Sequence, residues 1–197
     1  MAQNSLLNCP LHYQLRELYG RLVYTHKAQE KEADIARIKL FRWQNIQLVV
    51  SSLTATGVLT SIWGDCVAIK VISAILSAVL FVISAYLKNS DFGGLSRKHS
   101  EAAAYLWDMR EKYLSLLVDL QQGSVTQEDV CRRRDCLQDR LAIFFKDAPR
   151  TTSEAYKDAV KALKENEEFT FSDKEIDCFL PESMRMSVIK EKESVVC

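Results

Sequence analysis

The chain has 197 residues, a formal net charge of zero and 26% charged residues, which suits one domain or one domain with a tail. Proteins that bind duplex nucleic acid usually present a basic face, so this balance gives no reason to expect nucleic acid as a partner. The six cysteines form no C-x-x-C pair and do not cluster with the three histidines, so we expect no zinc site.

An amphipathic cytoplasmic helix is predicted in residues 1–42. It begins near Asn8 or Cys9, because Pro10 is tolerated in a first helical turn. Neither Pro nor Gly interrupts residues 21–56, so we expect one helix to run from the cytosol into a membrane. Leucines recur every three or four residues and so share one face of this helix: Leu11, Leu15, Leu18 and Leu22.

Residues 43–88 are predicted to form a transmembrane helical hairpin. Two stretches without charge, 43–64 and 71–87, hold 22 and 17 residues, and Gly64-Asp65 is predicted to form a tight turn between them. A helix of the longer length spans roughly 33 Å, about the thickness of a bilayer core. The alternative is a soluble bundle that buries both helices, and the many polar residues of the first stretch favour it. Neither stretch has the charged face that a soluble core helix normally shows.

The charges beside the hairpin predict its orientation. The tip of the hairpin offers only Asp65 and Lys70. Eight basic residues flank its base: Lys27, Lys31, Arg37, Lys39, Arg42, Lys88, Arg97 and Lys98. By the positive-inside rule, both termini of this multi-pass chain are then cytoplasmic. Arg42, Trp43 and Lys70 are predicted to act as interfacial anchors, with the Lys70 ammonium extending to the headgroups.

Polar side chains recur at helical spacing along both predicted spans. One face of the first span carries Gln44, Gln47, Ser51, Thr54 and Ser61, and one face of the second carries Lys70, Ser73, Ser77 and Ser84. One interpretation is a water-facing surface in an assembly of hairpins, because a single hairpin is too narrow to conduct. Its pore-lining candidates are Gln47, Ser51, Thr54, Ser73 and Ser77. The other interpretation is close helix packing through small hydroxyl residues, and the two are compatible.

Residues 95–148 are predicted to form a pair of cytoplasmic helices. Paired glycines in residues 88–94 indicate a break or hinge, after which a helix runs from about Ser96 to Gln122. The next helix is capped by Thr126 with Asp129 and runs to about Asp147. The first of the two carries an apolar stripe that includes Leu106, Met109, Tyr113 and Leu116. This stripe and the leucines of the first helix either pack against each other within one chain or drive oligomerisation.

Residues 149–197 are predicted to form short helices and a tail. Two further capping boxes, Thr151 with Glu154 and Ser172 with Glu175, begin these helices, and residues 184–197 are expected to fray. No run of residues alternates with the period of a strand. The predicted fold class is therefore all-α: a transmembrane hairpin with a cytoplasmic bundle built from the N-terminal and C-terminal helices.

Motifs of catalysis are missing from the sequence. It contains no glycine-rich phosphate loop, nucleophile elbow, H-E-x-x-H motif or pair of catalytic carboxylates, so we expect neither an enzyme nor a cofactor. His99 is interpreted as a polar residue at a helix start, with a proton-sensitive role as the alternative.

The layout resembles the SLATT family, bacterial effectors with two transmembrane helices that accompany nucleotide-second-messenger and related conflict systems. The resemblance covers roughly residues 11–185. It is carried by a basic helix ending in Phe41-Arg42-Trp43, a tight hairpin, the helix start His99-Ser100-Glu101-Ala102-Ala103-Ala104-Tyr105-Leu106 and the ending Phe171-Ser172-Asp173-Lys174-Glu175-Ile176-Asp177-Cys178-Phe179-Leu180-Pro181.

The resemblance implies a protein that assembles in the bacterial inner membrane and permeabilises it when a partner sensor detects infection, causing growth arrest or death. It implies membrane lipid, further copies of the chain and a sensor or nucleotide-signalling protein as partners. The alternative function is a membrane-anchored scaffold that recruits a partner through its cytoplasmic helices.

Overall fold

The computed structural model describes residues 10–63, 66–169 and 172–179, and within them the regular structure is entirely helical. The all-α prediction is therefore confirmed. We number the helices in chain order: α1 Pro10–Trp63, α2 Val67–Ser90, α3 Phe92–Gln122, α4 Gln127–Asp147, α5 Ser153–Lys164 and α6 Asp173–Phe179. The predicted turn at Gly64-Asp65 and the predicted tail at 184–197 lie outside the described residues.

Helix α1 is the long element to which the rest of the molecule attaches. Its 54 residues correspond to about 80 Å, and they confirm the prediction of one uninterrupted helix. Pro10 occupies the first helical position, where its missing N–H is not needed. The N-terminal half of α1 packs against α3 and α5, and its C-terminal half packs against α2. One helix thus belongs to two different environments.

The junction between α2 and α3 is shorter than the sequence predicted. The predicted break within residues 88–94 is present, but only Asp91 separates the two helices, so the prediction of a helix start near Ser96 was wrong by four residues. Asp91 adopts a left-handed conformation (φ 37°, ψ 47°), and its carboxylate accepts a hydrogen bond from the N–H of Gly94 at 3.0 Å. A Cβ at position 94 would lie 2.8 Å from the Asp91 Cγ. Gly94 therefore serves the cap of α3 rather than a hinge.

A hydrophobic core joins α3 and α4 to the N-terminal half of α1. Its largest fully buried side chains are Leu15, Leu106, Met109, Tyr113, Leu120 and Val130. Gly123, in the left-handed region (φ 67°), ends α3, and Thr126 begins α4 by accepting from the N–H of Asp129 at 3.2 Å. The predicted Thr126 cap is confirmed.

The predicted capping boxes of the last two helices have different outcomes. The cap of α5 is Thr152, whose hydroxyl accepts from the N–H of Ala155 at 3.3 Å, so the prediction of Thr151 with Glu154 was wrong by one residue. The box before α6 is confirmed: the Ser172 N–H donates to the Glu175 carboxylate at 2.7 Å, and the Glu175 N–H donates to the Ser172 hydroxyl at 3.3 Å.

Candidate membrane-embedded site

The outer surface of the α1–α2 pair is apolar and exposed. Leu48 on α1 is 66% exposed and Phe81 on α2 is 74% exposed. Other large apolar side chains surround them on both helices: Ile46, Val49, Leu53, Val58, Leu59, Val67, Val71, Ile72, Ile75, Val79 and Val82. A monomeric soluble protein rarely exposes so continuous an apolar surface, so this one requires an apolar environment.

The facing sides of α1 and α2, unlike that outer surface, are buried or half-buried and include polar side chains. We use "seam" for the buried or half-buried residues that recur every three or four positions on the facing sides of the two helices: Trp43, Gln47, Val50, Thr54 and Gly57 on α1, and Ile69, Ser73, Leu76, Leu80, Ile83 and Leu87 on α2. This spacing is that of a left-handed coiled coil. The pairing of residue 47 with 84 and of 57 with 73 shows that the helices run antiparallel.

Hydrogen bonds satisfy the polar groups of the seam. The Gln47 amide donates to the Ser84 hydroxyl across the seam at 3.1 Å. Two hydroxyl groups also donate to a backbone carbonyl one turn back on their own helix: Thr54 donates to Val50 and Ser84 to Leu80, both at 2.8 Å. Such local bonds remove the cost of placing a hydroxyl in an apolar environment.

Gly57 allows the two helices to approach most closely. A Cβ at this position would overlap the Ser73 hydroxyl and would lie 3.5 Å from the Ser73 Cβ. Ser73 is itself buried, with 6% of its surface exposed. Small residues at facing positions are typical of helix pairs in membranes, because they bring the two backbones together.

The pore-lining candidates do not share one surface in the structure. Gln47, Thr54 and Ser73 lie in the seam, whereas Ser77 is exposed and Ser51 is half-buried at the edge of the seam. Their neighbours at helical spacing divide in the same way: Gln44 and Lys70 are exposed, and Ser84 is half-buried.

An aromatic cluster marks the base of the hairpin. The ring of Trp43 lies 5.1 Å from the ring of Tyr86, which lies 5.9 Å from the ring of Phe92. Arg42 is exposed beside this cluster. Aromatic rings with a neighbouring basic side chain are typical of a membrane–water interface.

The leucine stripe of α1 and the apolar stripe of α3 meet within one chain. Leu11, Leu15 and Leu22 belong to the same core cluster as the stripe of α3, and Leu18 packs against it from a partly buried position. The stripe of α3 is buried throughout, from Leu106 and Met109 to Tyr113 and Leu116. The structure thus places these residues in intramolecular contact.

A buried polar network, which sequence reasoning missed, ties α1 to α3 and to the start of α5. His99 is 2% exposed, and its Nδ1 lies 2.5 Å from the Gln29 side-chain oxygen, while the Gln29 amide donates to the Pro149 carbonyl at 2.9 Å. The buried Glu32 carboxylate accepts from the N–H and the hydroxyl of Thr152 at 2.8 and 2.7 Å. The interpretation of His99 as a polar helix-start residue does not hold, and burial lowers its pKa.

The segment that follows α5 folds back onto α1. The Lys27 ammonium, almost fully buried, lies 2.5 Å from the Glu168 carboxylate and 2.9 Å from that of Glu30. Phe169 stacks on the buried His26 ring at 5.6 Å between centroids, and the Arg110 guanidinium lies 4.9 Å from the Phe169 ring. We call residues 165–169 the strap, because they fasten the end of α5 to α1 and α3.

Charge and burial shift the pKa values of the groups at the strap. Burial lowers the pKa of Lys27, but the hydrogen bonds that its ammonium donates to Glu168 and Glu30 outweigh burial and leave this pKa raised. The hydrogen bond from Lys27 lowers the pKa of Glu168, and burial lowers the pKa of His26. The ion pairs of the strap are therefore fully charged near neutral pH.

In the part of the chain that the structure describes, no three His, Cys, Asp or Glu side chains are grouped so that they could hold a metal ion.

By length and composition, one helical stretch among the described residues is apolar enough to cross a membrane: Val67–Gln122, which comprises α2 and α3. Its most apolar 18-residue window has a mean hydropathy of 2.5, and only 11% of that window is buried. A core helix of a soluble protein would be mostly buried.

The fold and the exposed apolar surface define a helical, membrane-associated protein whose helix bundle continues into a helix pair. The chain belongs to family 4 of the SMODS and SLOG-associating 2TM effector domains, because the family model matches residues 11–175. The SLATT resemblance is thereby confirmed, and the chain is a membrane-associated effector of conflict systems. Neither a curated protein nor a solved structure gives a significant match.

Proposed function

We propose that this chain is an oligomeric, pore-forming effector of a bacterial antiviral conflict system, which permeabilises the inner membrane and arrests or kills the cell when triggered. Both α1 and α2 then cross the membrane, and both termini lie in the cytoplasm. The protein acts without catalysis or cofactor. A sensor or nucleotide-signalling protein supplies the trigger.

The observation that carries this proposal is the inverted polarity of the α1–α2 pair. Phe81 and Leu48 point outward, while Gln47, Thr54 and Ser73 lie in the seam. A water-filled pathway in a membrane needs this distribution, with apolar groups toward lipid and polar groups toward the interior of an assembly.

The hydrogen bonds of the seam favour an opening in which hairpins exchange partners. Thr54 and Ser84 keep their bonds to Val50 and Leu80 when the helices separate, because these bonds are internal to one helix. The Gln47–Ser84 hydrogen bond crosses the seam and must be broken. Several copies would then turn Gln47, Ser51, Thr54, Ser73 and Ser77 toward a shared lumen.

Leakage from vesicles tests the permeabilising function directly. Purified protein is reconstituted into liposomes that hold a self-quenched dye, over a range of protein densities, with and without the products of the neighbouring genes. We expect release of dye that rises steeply with protein density, because a pore requires several copies. Vesicles that stay intact at high density with all partners present would contradict the proposal.

A disulfide across the seam tests the opening step. The Cβ distance of 3.5 Å between positions 57 and 73 suits a disulfide, so Gly57→Cys with Ser73→Cys should cross-link within one chain on mild oxidation. The background carries serine at the native cysteines. We expect the oxidised variant to stop leaking and to recover on reduction. Leakage that is equal before and after oxidation would show that the pore forms without separation of α1 from α2.

The alternative function is a membrane-anchored scaffold, and an exposed surface on the cytoplasmic helices favours it. Ile143 on α4 is 65% exposed and lines an open groove of about 730 Å³ with Leu95, Tyr105 and Pro149. Such a groove fits an apolar segment of a partner protein. Replacing residues 43–88 by an unrelated polyleucine hairpin separates the two functions, since a scaffold should survive the exchange and a pore should not.

A further inference from the structure

Three basic side chains at the base of the hairpin are exposed and unpaired. Lys39 and Arg42 lie on the last turns of α1 before Trp43, and Lys88 lies near the end of α2. In the described part of the chain none of the three forms an ion pair, whereas the neighbouring Arg37 pairs with Asp34 at 3.3 Å. We call Lys39, Arg42 and Lys88 the basic collar.

The collar lies at the level of the aromatic cluster. At about 1.5 Å per residue, Arg42 and Lys39 lie roughly 2 and 6 Å along α1 from Trp43, and Lys88 lies roughly 3 Å along α2 from Tyr86. The Trp43 and Tyr86 rings are 5.1 Å apart, which sets both helices at one height. The collar therefore directly adjoins the exposed apolar surface that lipid must cover.

Acidic side chains do little to neutralise the collar. Asp91, whose carboxylate accepts from the N–H of Gly94 at the start of α3, supplies one negative charge at this height against the three positive charges of the collar. A chain with a net charge of zero thus concentrates positive charge at one level. Charge complementarity and continuity with the apolar surface indicate the same occupant, an anionic lipid headgroup.

We propose that the basic collar of Lys39, Arg42 and Lys88 selects anionic phospholipids of the cytoplasmic leaflet, so that the hairpin gathers a shell of anionic lipid around its base. This inference rests on the membrane location in the proposed function and adds the class of lipid. The cytoplasmic leaflet carries a negative surface potential that attracts basic side chains held within a Debye length, about 8 Å at physiological salt.

Fluorescence quenching by brominated lipid measures this selection. The chain has three tryptophans, so Trp63→Phe with Trp107→Phe leaves Trp43 beside the collar as the reporter. The full chain is placed in vesicles of phosphatidylcholine and phosphatidylglycerol at fixed proportions. In one set of vesicles the phosphatidylcholine carries bromine near the headgroup end of its acyl chains, and in a second set the phosphatidylglycerol does. We expect brominated phosphatidylglycerol to quench Trp43 as if enriched roughly fivefold over its bulk fraction.

The matched variants change three charges each. In K39Q/R42Q/K88Q the enrichment should fall to about onefold, with the helical content by circular dichroism unchanged. In K157Q/K161Q/K164Q, which changes three exposed lysines on α5, the enrichment should persist. Helix α5 begins beside Glu32, about 16 Å along α1 from Trp43, so these lysines lie beyond a Debye length.

Each remaining outcome overturns a specific statement. Equal quenching by both lipids in the unsubstituted collar overturns the lipid selection but leaves membrane insertion intact. Quenching by neither lipid overturns the membrane location itself. Selection that survives in K39Q/R42Q/K88Q overturns the assignment to the collar. Loss of selection with inorganic phosphate, but not with sodium chloride of equal ionic strength, shows a site for soluble phosphate instead.

Discussion

The two halves of α1 expose opposite kinds of side chain. Near its N-terminus the helix buries Leu15 and Leu22 against α3 and exposes charged residues such as Arg16 and Arg21. In the half that packs on α2, the seam holds Gln47 and Thr54, and Leu48 lies outside. No residue breaks the helix between the two halves, so the backbone is the same and only the side-chain pattern changes.

Under the proposed membrane topology, the difference teaches that the two halves are adapted to two solvents. In water, burial of apolar surface stabilises a helix bundle by about 25 cal/mol per Å², so the leucines turn inward. In hydrocarbon that driving force is absent, and close packing and hydrogen bonds hold helices together. The same amino-acid types should therefore have opposite effects on stability in the two halves.

The largest expected difference concerns leucine. Leu106→Ala, at a fully buried position of the cytoplasmic core, should lower the free energy of unfolding by about 3 kcal/mol through lost burial and the cavity left behind. Leu48→Ala on the outer face should change it by less than about 0.5 kcal/mol, because lipid or detergent fills the space. Denaturant unfolding in detergent micelles measures both. An equal loss in the two variants would contradict the comparison.

An aromatic-to-arginine substitution should be costly on the outer face of α2 and tolerated on the surface of α4. Phe81→Arg, near the middle of α2, places a charge where lipid is expected and should disfavour membrane insertion by about 3 kcal/mol. Phe145→Arg is the matched control, since this ring is 50% exposed on the cytoplasmic α4. It should change insertion by no more than about 0.5 kcal/mol. Insertion of the two variants is compared by carbonate extraction, and full retention of Phe81→Arg in the pellet would argue against lipid around α2.

The strap should give the cytoplasmic half a dependence on pH. The hydrogen bond from Lys27 lowers the pKa of Glu168, so this stabilisation is present above the ordinary glutamate pKa of about 4.3 and is lost as the pH falls through the lowered folded value. Burial opposes protonation of Lys27, but its ion pairs leave its pKa raised. The contribution of Lys27 to the stability of the fold is therefore lost only as the pH rises through that raised pKa.

We therefore expect Glu168→Gln to cost about 0.5–1 kcal/mol at neutral pH, a figure that allows for the partial exposure of the pair. The cost should shrink toward zero in acid, where the wild-type carboxylate is itself protonated. Glu165→Gln removes an exposed carboxylate from the same strap and should cost nothing measurable. Unfolding of both variants across the acidic range is the measurement. A cost for Glu168→Gln that does not change with pH would exclude the ion pair as its source.

Sequence reasoning reached the features that depend on neighbours along the chain. The continuity of α1, the Thr126 cap and the Ser172–Glu175 box follow from local rules of helix formation. The fold class and the pairing of the leucine stripe with the stripe of α3 follow from periodicity.

The features that sequence reasoning missed depend on distant partners. The helix cap moved from Thr151 to Thr152 because Glu32, 120 residues away, binds the backbone and hydroxyl there. His99 is buried because Gln29 satisfies its ring nitrogen from 70 residues away. Paired glycines ordinarily end a helix, but here the Asp91 carboxylate occupies the space beside Gly94 and caps the helix that contains it.

The smallest expected effect lies in the seam itself, where periodicity grouped Gln44 with Gln47 and the structure separates them. A double-mutant cycle of Gln47→Leu with Ser84→Ala should give a coupling of about 0.6 kcal/mol, the size usual for a hydrogen bond between membrane helices. The same cycle with Gln44→Leu should give a coupling near zero, because Gln44 is exposed one turn earlier. Reversible unfolding in mixed micelles resolves the two. Equal couplings would mean that the seam has another register, and the disulfide at positions 57 and 73 should then fail to form as well.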